Sequence, residues 1–431
     1  MANPPFNVDE VDSDKVKNDP RLPFALPGVN KNGKVSNGNY LWICYFYSYL
    51  NEKGRAGFVM SSQASSAGGG EAKVRQKLIE TGAVEAMVAI RSNFFYTRTV
   101  PCELWFLNRA KSAAGDGGKS EPQKHKDKVL MLDARNVYRK VTRKIYDFSP
   151  EQLQNLLSIF WLYRGEEERF LTLVDNYLTR TLTESSACLD EAALPAYVLA
   201  LNELYKTLQP FLKTIPADND SVPAVVKEFT ETKVTFERDV DSFCVATEKE
   251  TAHCEKQTSH RADALVKETG RLAPLATTSL DLIKDADLLY KLASRLIDLC
   301  ESDLNARESD LWQNREITRA RKTADETRQA AVEQLKQVRY FHKQALWLTE
   351  RFPDGTLRDV QGLVKLVDVS EMGDDWSLTP GRYVGAAPEE VDEDFDFEET
   401  LRDIHIELGG LNAEAVELAT KIAKNFEELG A

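Results

Sequence analysis

Apolar positions come first in short blocks and later in long stripes. After a start rich in proline and glycine (residues 1–38), residues 39–50 are apolar or aromatic nearly all round, the pattern of a buried helix. Short apolar runs follow at 55–60, 84–90, 102–107 and 129–132, and they predict buried strands. Residues 71–80 read as a helix entered through Gly68-Gly69-Gly70, and a polar loop spans 111–128. Strands alternating with helices predict a mostly parallel sheet covered on both faces.

From Ser149 the texture changes. Ser149-Pro150-Glu151-Gln152 combines an N-cap, a proline at the first helical position and a Gln at the capping-box position. Leu153, Leu156, Leu157 and Phe160 follow as one apolar face, and residues 185–350 read as almost entirely helical. Val222, Val226, Phe229, Phe236, Val240 and Phe243 keep a 4-3 spacing interrupted only at Lys233. Leu282, Ala286, Leu289, Ala293, Leu296 and Cys300 keep it unbroken. Such stripes predict coiled-coil-like packing, with a partner stripe from the same chain or another subunit. Pro274 and Pro353 are expected to break helices. Residues 389–399 hold eight acids in eleven, a solvated segment before a last helix at 412–429. The expected architecture is α/β plus all-α, divided at 1–148, 149–352 and 353–431.

A chain of 431 residues has room for two or three such divisions, and 42% apolar with 29% charged residues describes a soluble globular protein. No stretch approaches the ~18 consecutive apolar residues of a membrane span, and no secretory signal is visible. Cys44, Cys102, Cys188, Cys244, Cys254 and Cys300 include no C-x-x-C pair, which points to reduced thiols and a cytoplasmic location. The net charge of −14 hides a split. Residues 1–150 hold 23 basic and 15 acidic side chains, a balance of +8; the remainder holds 32 and 54, a balance of −22. A polyanion is drawn to the first part and repelled by most of the second.

The most informative residues are Asn3-Pro4-Pro5-Phe6, the form of a tetrapeptide used by methyltransferases that act on amino groups of bases. The exocyclic amine of adenine is a poor nucleophile because its lone pair is delocalised into the ring. The Asn side-chain oxygen and the first Pro carbonyl accept its hydrogen bonds and favour localisation of that lone pair. The prolines hold both acceptors in a stiff extended geometry, and Phe6 gives an extruded base a stacking face.

The segments NGNYLWICYFYSYLNEKGRAGFVMS (37–61), GGGEAKVRQKLIETGAVEAMVAI (68–90), NFFYTRTVPCELWFLNR (93–109) and DDWSLTPGRYVGAAPEE (374–390) follow in order. With the tetrapeptide, they closely resemble the modification subunit of type I restriction-modification systems, an S-adenosylmethionine-dependent DNA adenine methyltransferase. The resemblance covers about residues 1–165 and 370–431. It implies a partial Rossmann-like methyltransferase sheet, double-stranded DNA as substrate, and specificity and restriction subunits as partners. It also implies an aromatic stacking on the second face of the flipped base. The candidates are Phe94, Phe95 and Tyr96, with Phe95 favoured and core aromatics at a strand entrance as the alternative. In that family the C-terminal region packs on the specificity subunit, and here Leu378–Gly385 and a terminal helix with Val416, Leu418, Ile422, Phe426 and Leu429 match.

One departure stands out. The family binds its methyl donor through a glycine-rich turn and an acidic residue that precede the tetrapeptide. Only Met1 and Ala2 precede it here, so the chain is expected to be a C-terminal portion with no donor-binding residue assigned. Gly68-Gly69-Gly70 lacks the spacing of a phosphate cradle. His253, Cys254 and His260 are too loosely spaced for zinc, and no metal ligand is assigned. Lys111, Lys119, Lys124, Lys126 and Lys128 are candidates for a DNA backbone, or for a solvated loop. Two other functions stay open: a catalytically incompetent module that docks a specificity subunit, and a helical scaffold unrelated to DNA.

Overall fold

The computed structural model describes residues 1–8, 10–35, 37–94, 99–112, 125–142, 145–216, 219–256, 260–388 and scattered positions between 401 and 422. Residues 1–385 form one compact unit and 386–431 a second. The first opens with a two-stranded ribbon, β1 (Val11–Asp12) and β2 (Lys34–Val35), flanking a one-turn helix α1 (Ser13–Val16). Then come α2 (Asn39–Ser48), β3 (Arg55–Ser61), α3 (Gly69–Glu80), β4 (Val84–Ile90), β5 (Cys102–Asn108), the short α4 (Arg109–Ser112) and β6 (Lys128–Asp133). A small hairpin, β7 (Arg139–Thr142) and β8 (Ile145–Asp147), leads into six longer helices. These are α5 (Pro150–Tyr163), α6 (Glu167–Ala187), α7 (Leu194–Leu212), α8 (Ser221–Cys254), α9 (Ala262–Asp303) and α10 (Asn314–Arg351). The chain then returns to the sheet as β9 (Val364–Asp368) and ends the unit with α11 (Gly381–Val384).

The sheet order is β3-β5-β4-β6-β9. β3, β4 and β6 run one way, while β5 and β9 run against them, so the sheet is mixed and only β4 and β6 pair in parallel. The expected mostly parallel sheet is corrected here. Among the described residues no helix bridges β4 and β5, and without a crossover a neighbouring strand returns antiparallel. Both faces are covered as expected. Trp105, Met87, Met131 and Phe58 face α2, α3 and residues 372–384; Ala86, Val88, Leu130 and Leu132 face α5 and the helices beyond. Ser149 caps α5 with the full capping box and Pro150 in its first turn. Leu156 and Ile159 are buried there, but Leu153 and Leu157 are exposed, so the face is narrower than expected.

The helical stripes are satisfied within the chain. Val222, Phe229, Phe236 and Phe243 are buried, as are all six members of the Leu282–Cys300 series. Arg321 meets Asp298, Arg328 meets Asp287, and His342 lies 2.9 Å from the Thr269 carbonyl. Rising numbers on α10 against falling ones on α9 make that pair antiparallel. Pro274 does not break α9, which runs through it. Gly270, whose carbonyl loses its hydrogen bond to that proline, has open space around its Cα. Pro353 follows α10 as expected. The long helices end at Arg351, and the chain beyond continues in the first unit to Gly385. β9 closes the sheet edge beside β6, and Leu378 and Val384 belong to the core on the α2/α3 face.

Candidate active site at the carboxyl edge of the sheet

Ala2 forms a parallel bridge to Phe58: its N–H donates to the Gly57 carbonyl at 3.0 Å, and its carbonyl accepts from Val59 N–H at 3.1 Å. The chain therefore leaves the sheet at Asn3 heading toward the carboxyl ends of β3, β4 and β6. Pro4 is buried and Phe6 half-buried, while Asn3 and Pro5 are exposed. The path is pinned again at Asn7, which adopts a left-handed conformation with φ +52°. Its N–H donates to Asn39 Oδ1 at 2.8 Å, and its Oδ1 accepts from Asn39 Nδ2 at 2.9 Å and Asn37 Nδ2 at 3.2 Å. Gly38 donates to the Val8 carbonyl at 2.8 Å, and a Cβ there would stand 3.1 Å from that oxygen. The tetrapeptide is thus held between the sheet edge and an Asn37-Gly38-Asn39 cradle at the entrance to α2. An exposed amide oxygen beside a proline-stiffened carbonyl offers two acceptors to one amine.

The loop after β4 reaches the same edge. Phe94 is half-buried, its ring centroid 4.7 Å from that of Phe148, so it packs within the protein. Phe95 and Tyr96 lie outside the described residues. Three strand spacings, about 14 Å, separate the chain start from β4, and residues 91–101 must bridge them if an aromatic there shares a base with Phe6.

Beneath this edge, on the face of Trp105 and Met131, Glu103 and Asp133 are buried. Arg135 folds back on Asp133, with Nε 2.8 Å from Oδ1 and Nη2 2.5 Å from Oδ2. Burial pushes the Glu103 carboxyl up to about 8, against the opposing pull of the Ser65 hydroxyl and Arg135. Its Oε2 has no hydrogen-bond partner among the described residues. Residues 375–384 close over this floor. Ser65 Oγ lies 2.8 Å from Thr379 Oγ1, and Leu378 N–H donates to the Ser65 carbonyl at 2.8 Å. Fully buried Arg75 donates to the carbonyls of Asp375 and Trp376 at 2.6 Å each and to Ala67 O and Tyr40 Oη at 2.9 Å. A Cβ on Gly381 would stand 3.1 Å from Asp133 Oδ2 and closer still to Arg135 Nη2, so the ion pair occupies the space of a side chain.

Two expectations change. Leu378–Gly385, expected to dock a partner, instead buries Leu378 and Val384 against the sheet. Lys111 is buried, donating to the Val84 and Lys128 carbonyls at the opposite, amino edge of β4 and β6. Lys126 and Lys128 share that edge, and Lys119 and Lys124 lie outside the described residues. Within the glycine run only Gly70 is closely packed: a Cβ there would stand 2.7 Å from the Gly28 Cα and nearer still to its nitrogen. Among the described residues no three His, Cys, Asp or Glu side chains gather as for a metal. His260 instead lies 3.6 Å from Asp175. No helix among them is long and apolar enough to cross a membrane. The Asn7 cradle was foreshadowed only by the turn-forming Asn37-Gly38-Asn39. Nothing in the sequence pattern marks Arg75.

Residues 1–178 match the N-6 DNA methylase family model. Among curated proteins, the MjaIX methylase subunit of a type I restriction enzyme from Methanocaldococcus jannaschii is 32% identical over 203 residues, 46% of this chain and 33% of the relative. The HindI methylase subunit from Haemophilus influenzae is 25% identical over 228 residues, 53% and 44% of the two. A solved methyltransferase subunit of a type I system from Streptococcus thermophilus aligns at 20% identity with a TM-score of 0.30, covering 36% of this chain and 29% of its own, too distant to bear on the fold. The first part of the chain is therefore similar to the N-6 DNA methylase family. Its relatives are methylase subunits of type I restriction enzymes, as the sequence segments suggested. The chain spans between a third and a half of the length of these two curated relatives. Gly70, at the start of α3, lies against the Gly28 backbone and leaves no room there for a bound S-adenosylmethionine.

Proposed function

We propose that this chain is the base-handling part of a type I modification subunit, methylating the exocyclic amine of adenine in DNA. The observation that carries this is the tetrapeptide anchored on both sides, with Asn3 exposed between a sheet bridge at Ala2 and the cradle at Asn7. The amine of an extruded adenine donates to Asn3 Oδ1 and the Pro4 carbonyl, Phe6 stacks on one face of the base, and Phe95 is favoured for the other. S-adenosylmethionine is the methyl donor implied by the family, and none of the residues assigned here binds it. Double-stranded DNA, a specificity subunit and a restriction subunit are the proposed partners, and the cytoplasm the proposed location.

In the assembled enzyme, Asn3→Ala should abolish methyl transfer while leaving DNA affinity within about twofold, since one amine acceptor on an exposed loop contributes little to duplex binding. Methylation surviving in that variant rejects the assignment. Phe95→Ala should weaken retention of the flipped base by about 1–3 kcal/mol, read by 2-aminopurine fluorescence. The same loss in Phe94→Ala but not Phe95→Ala transfers the role to Phe94.

The second reading, an assembly module, is supported by the second unit. There Leu401, Ile404, Leu408, Val416, Leu418 and Ile422 are all exposed helical residues, whereas Phe426 and Leu429 lie outside the described positions. Removing residues 386–431 should abolish co-purification with the specificity subunit and leave the first unit folded.

A further inference from the structure

We infer that the β7–β8 hairpin grips the phosphate backbone of DNA beside the site; this rests on the chain being a DNA-methylating subunit. The ribbon carries the exposed Arg139 and Lys140, and the sequence goes on to Arg143 and Lys144, which lie outside the described residues, in a chain whose overall balance is −14. All four residues of β7 are exposed, so the strand covers no core. A two-stranded ribbon without a core is marginal by itself, and this one is fastened from outside.

The Arg91 guanidinium lies over the rings of Tyr138, at 4.3 Å, and Tyr146, at 4.7 Å, and those rings meet edge to face at 5.1 Å. Tyr146 N–H donates to the Asn93 carbonyl at 3.1 Å, and Gln152 Nε2 to the Tyr138 carbonyl at 2.9 Å. The fastening therefore joins the hairpin to the β4 loop that carries Phe94, at the same carboxyl edge as the tetrapeptide. Cross-strand pairing sets Lys140 opposite Tyr146, on one face of the ribbon. A bulge after Lys140 bends the strand and leaves Val141 exposed. On the other register pair, Arg139 is bound to Asp147 at 2.8 Å, which neutralises the one acid of the hairpin.

The arrangement is a basic ribbon with an aromatic beside its lysine, rigidly joined to the loop that handles the base. Phosphate interactions of this kind fix register without reading sequence, so any duplex tests them. Removing one lysine–phosphate pair should flatten the log–log salt dependence of binding by about 0.9.

The test compares Lys140→Ala with Lys126→Ala in the full chain, each an exposed lysine but at opposite edges of the sheet. A fluorescein-labelled duplex of arbitrary sequence is titrated at several salt concentrations. The expected result is a slope flattened by about 0.9 for Lys140→Ala and unchanged for Lys126→Ala, with equal melting temperatures. Equal slopes in Lys140→Ala and the parent, or equal losses in both variants, overturn the inference. So does a Lys140→Ala defect in subunit co-purification with DNA binding intact, which would make the ribbon a protein-binding element. If the parent chain binds no duplex even at low salt, the DNA-methylation proposal itself fails.

Discussion

Replacing Arg75 by Met removes a buried cation while keeping most of its stem volume. The guanidinium satisfies the carbonyls of Ala67, Asp375 and Trp376 and the hydroxyl of Tyr40, with a longer hydrogen bond to Ala64 O at 3.3 Å. Each buried acceptor left unpaired costs about 1–3 kcal/mol. Water reaching the 375–376 backbone would relieve part of that, so about 4–5 kcal/mol is expected. That is a large share of the roughly 5–15 kcal/mol that holds a typical domain folded. Because the carbonyls of 375 and 376 lie on the segment that roofs Glu103 and Asp133, the loss should appear there first. Proteolysis should open residues 374–385 in the variant at temperatures where the parent is protected, and the melting temperature should fall by about 8 °C or more. A variant with unchanged protection at 374–385 and a shift below about 2 °C would refute the role given to Arg75.

Three other outcomes are expected. Gly70→Ala places a methyl against the Gly28 backbone, which has no flexible end to yield, so a loss of about 2 kcal/mol or more in urea denaturation should follow. Burial keeps Glu103 protonated up to about 8, far above an unfolded carboxyl near ~4.3; the folded state then holds the extra proton between those values, and stability should decline as pH rises through that window. Glu103→Gln should flatten that decline in melting curves from about pH 5 to 8, and an unaltered slope would place the proton elsewhere. Asn39→Ala removes two hydrogen bonds holding Asn7, about 2 kcal/mol or a roughly 30-fold shift toward a released tetrapeptide, so kcat should fall with KM for DNA little changed.

The elements with strong local signals were legible. The capping box at Ser149, the strand at 84–90 and the stripe from Leu282 to Cys300 depend on residue types a few positions apart, and the structure forms each of them. The strand direction of β5 was not legible, because an apolar run does not encode which neighbour it joins. β9 escaped notice for a related reason: its partner β6 lies more than 200 residues earlier, so only its five-residue pattern could announce it. The surroundings of the tetrapeptide were not legible as geometry. Asn7 and Asn39 are separated by 32 residues, and their reciprocal bonds exist only once β1, β2 and α1 have folded between them. The basic loop at 111–128 stands out by composition, yet Lys111 turns inward to cap strand ends, while the exposed Arg139 and Lys140 of β7 lie near the carboxyl edge of the sheet.

The six long helices are an insertion between two neighbouring strands, since β6 enters them and β9 leaves them while the two pair side by side. Such an insertion needs its ends brought together, and the hydrogen bonds that do so are there. Ser149 Oγ lies 2.7 Å from Tyr340 Oη, Tyr340 donates to Glu151 at 2.8 Å, and Asn155 Nδ2 donates to Gln344 at 2.8 Å. The first helix of the insertion is thus tied to the last beside the sheet, and its length adds little closure entropy to the pairing of β6 with β9. This also accounts for the uneven charge. The acidic helices are built as a separate layer whose stripes are filled from within, so their −22 balance with the tail needs no basic partner from the sheet. On the proposed reading, a duplex would be repelled along that layer and drawn to the hairpin, so the electrostatic gradient would run toward the edge where Asn3 is exposed.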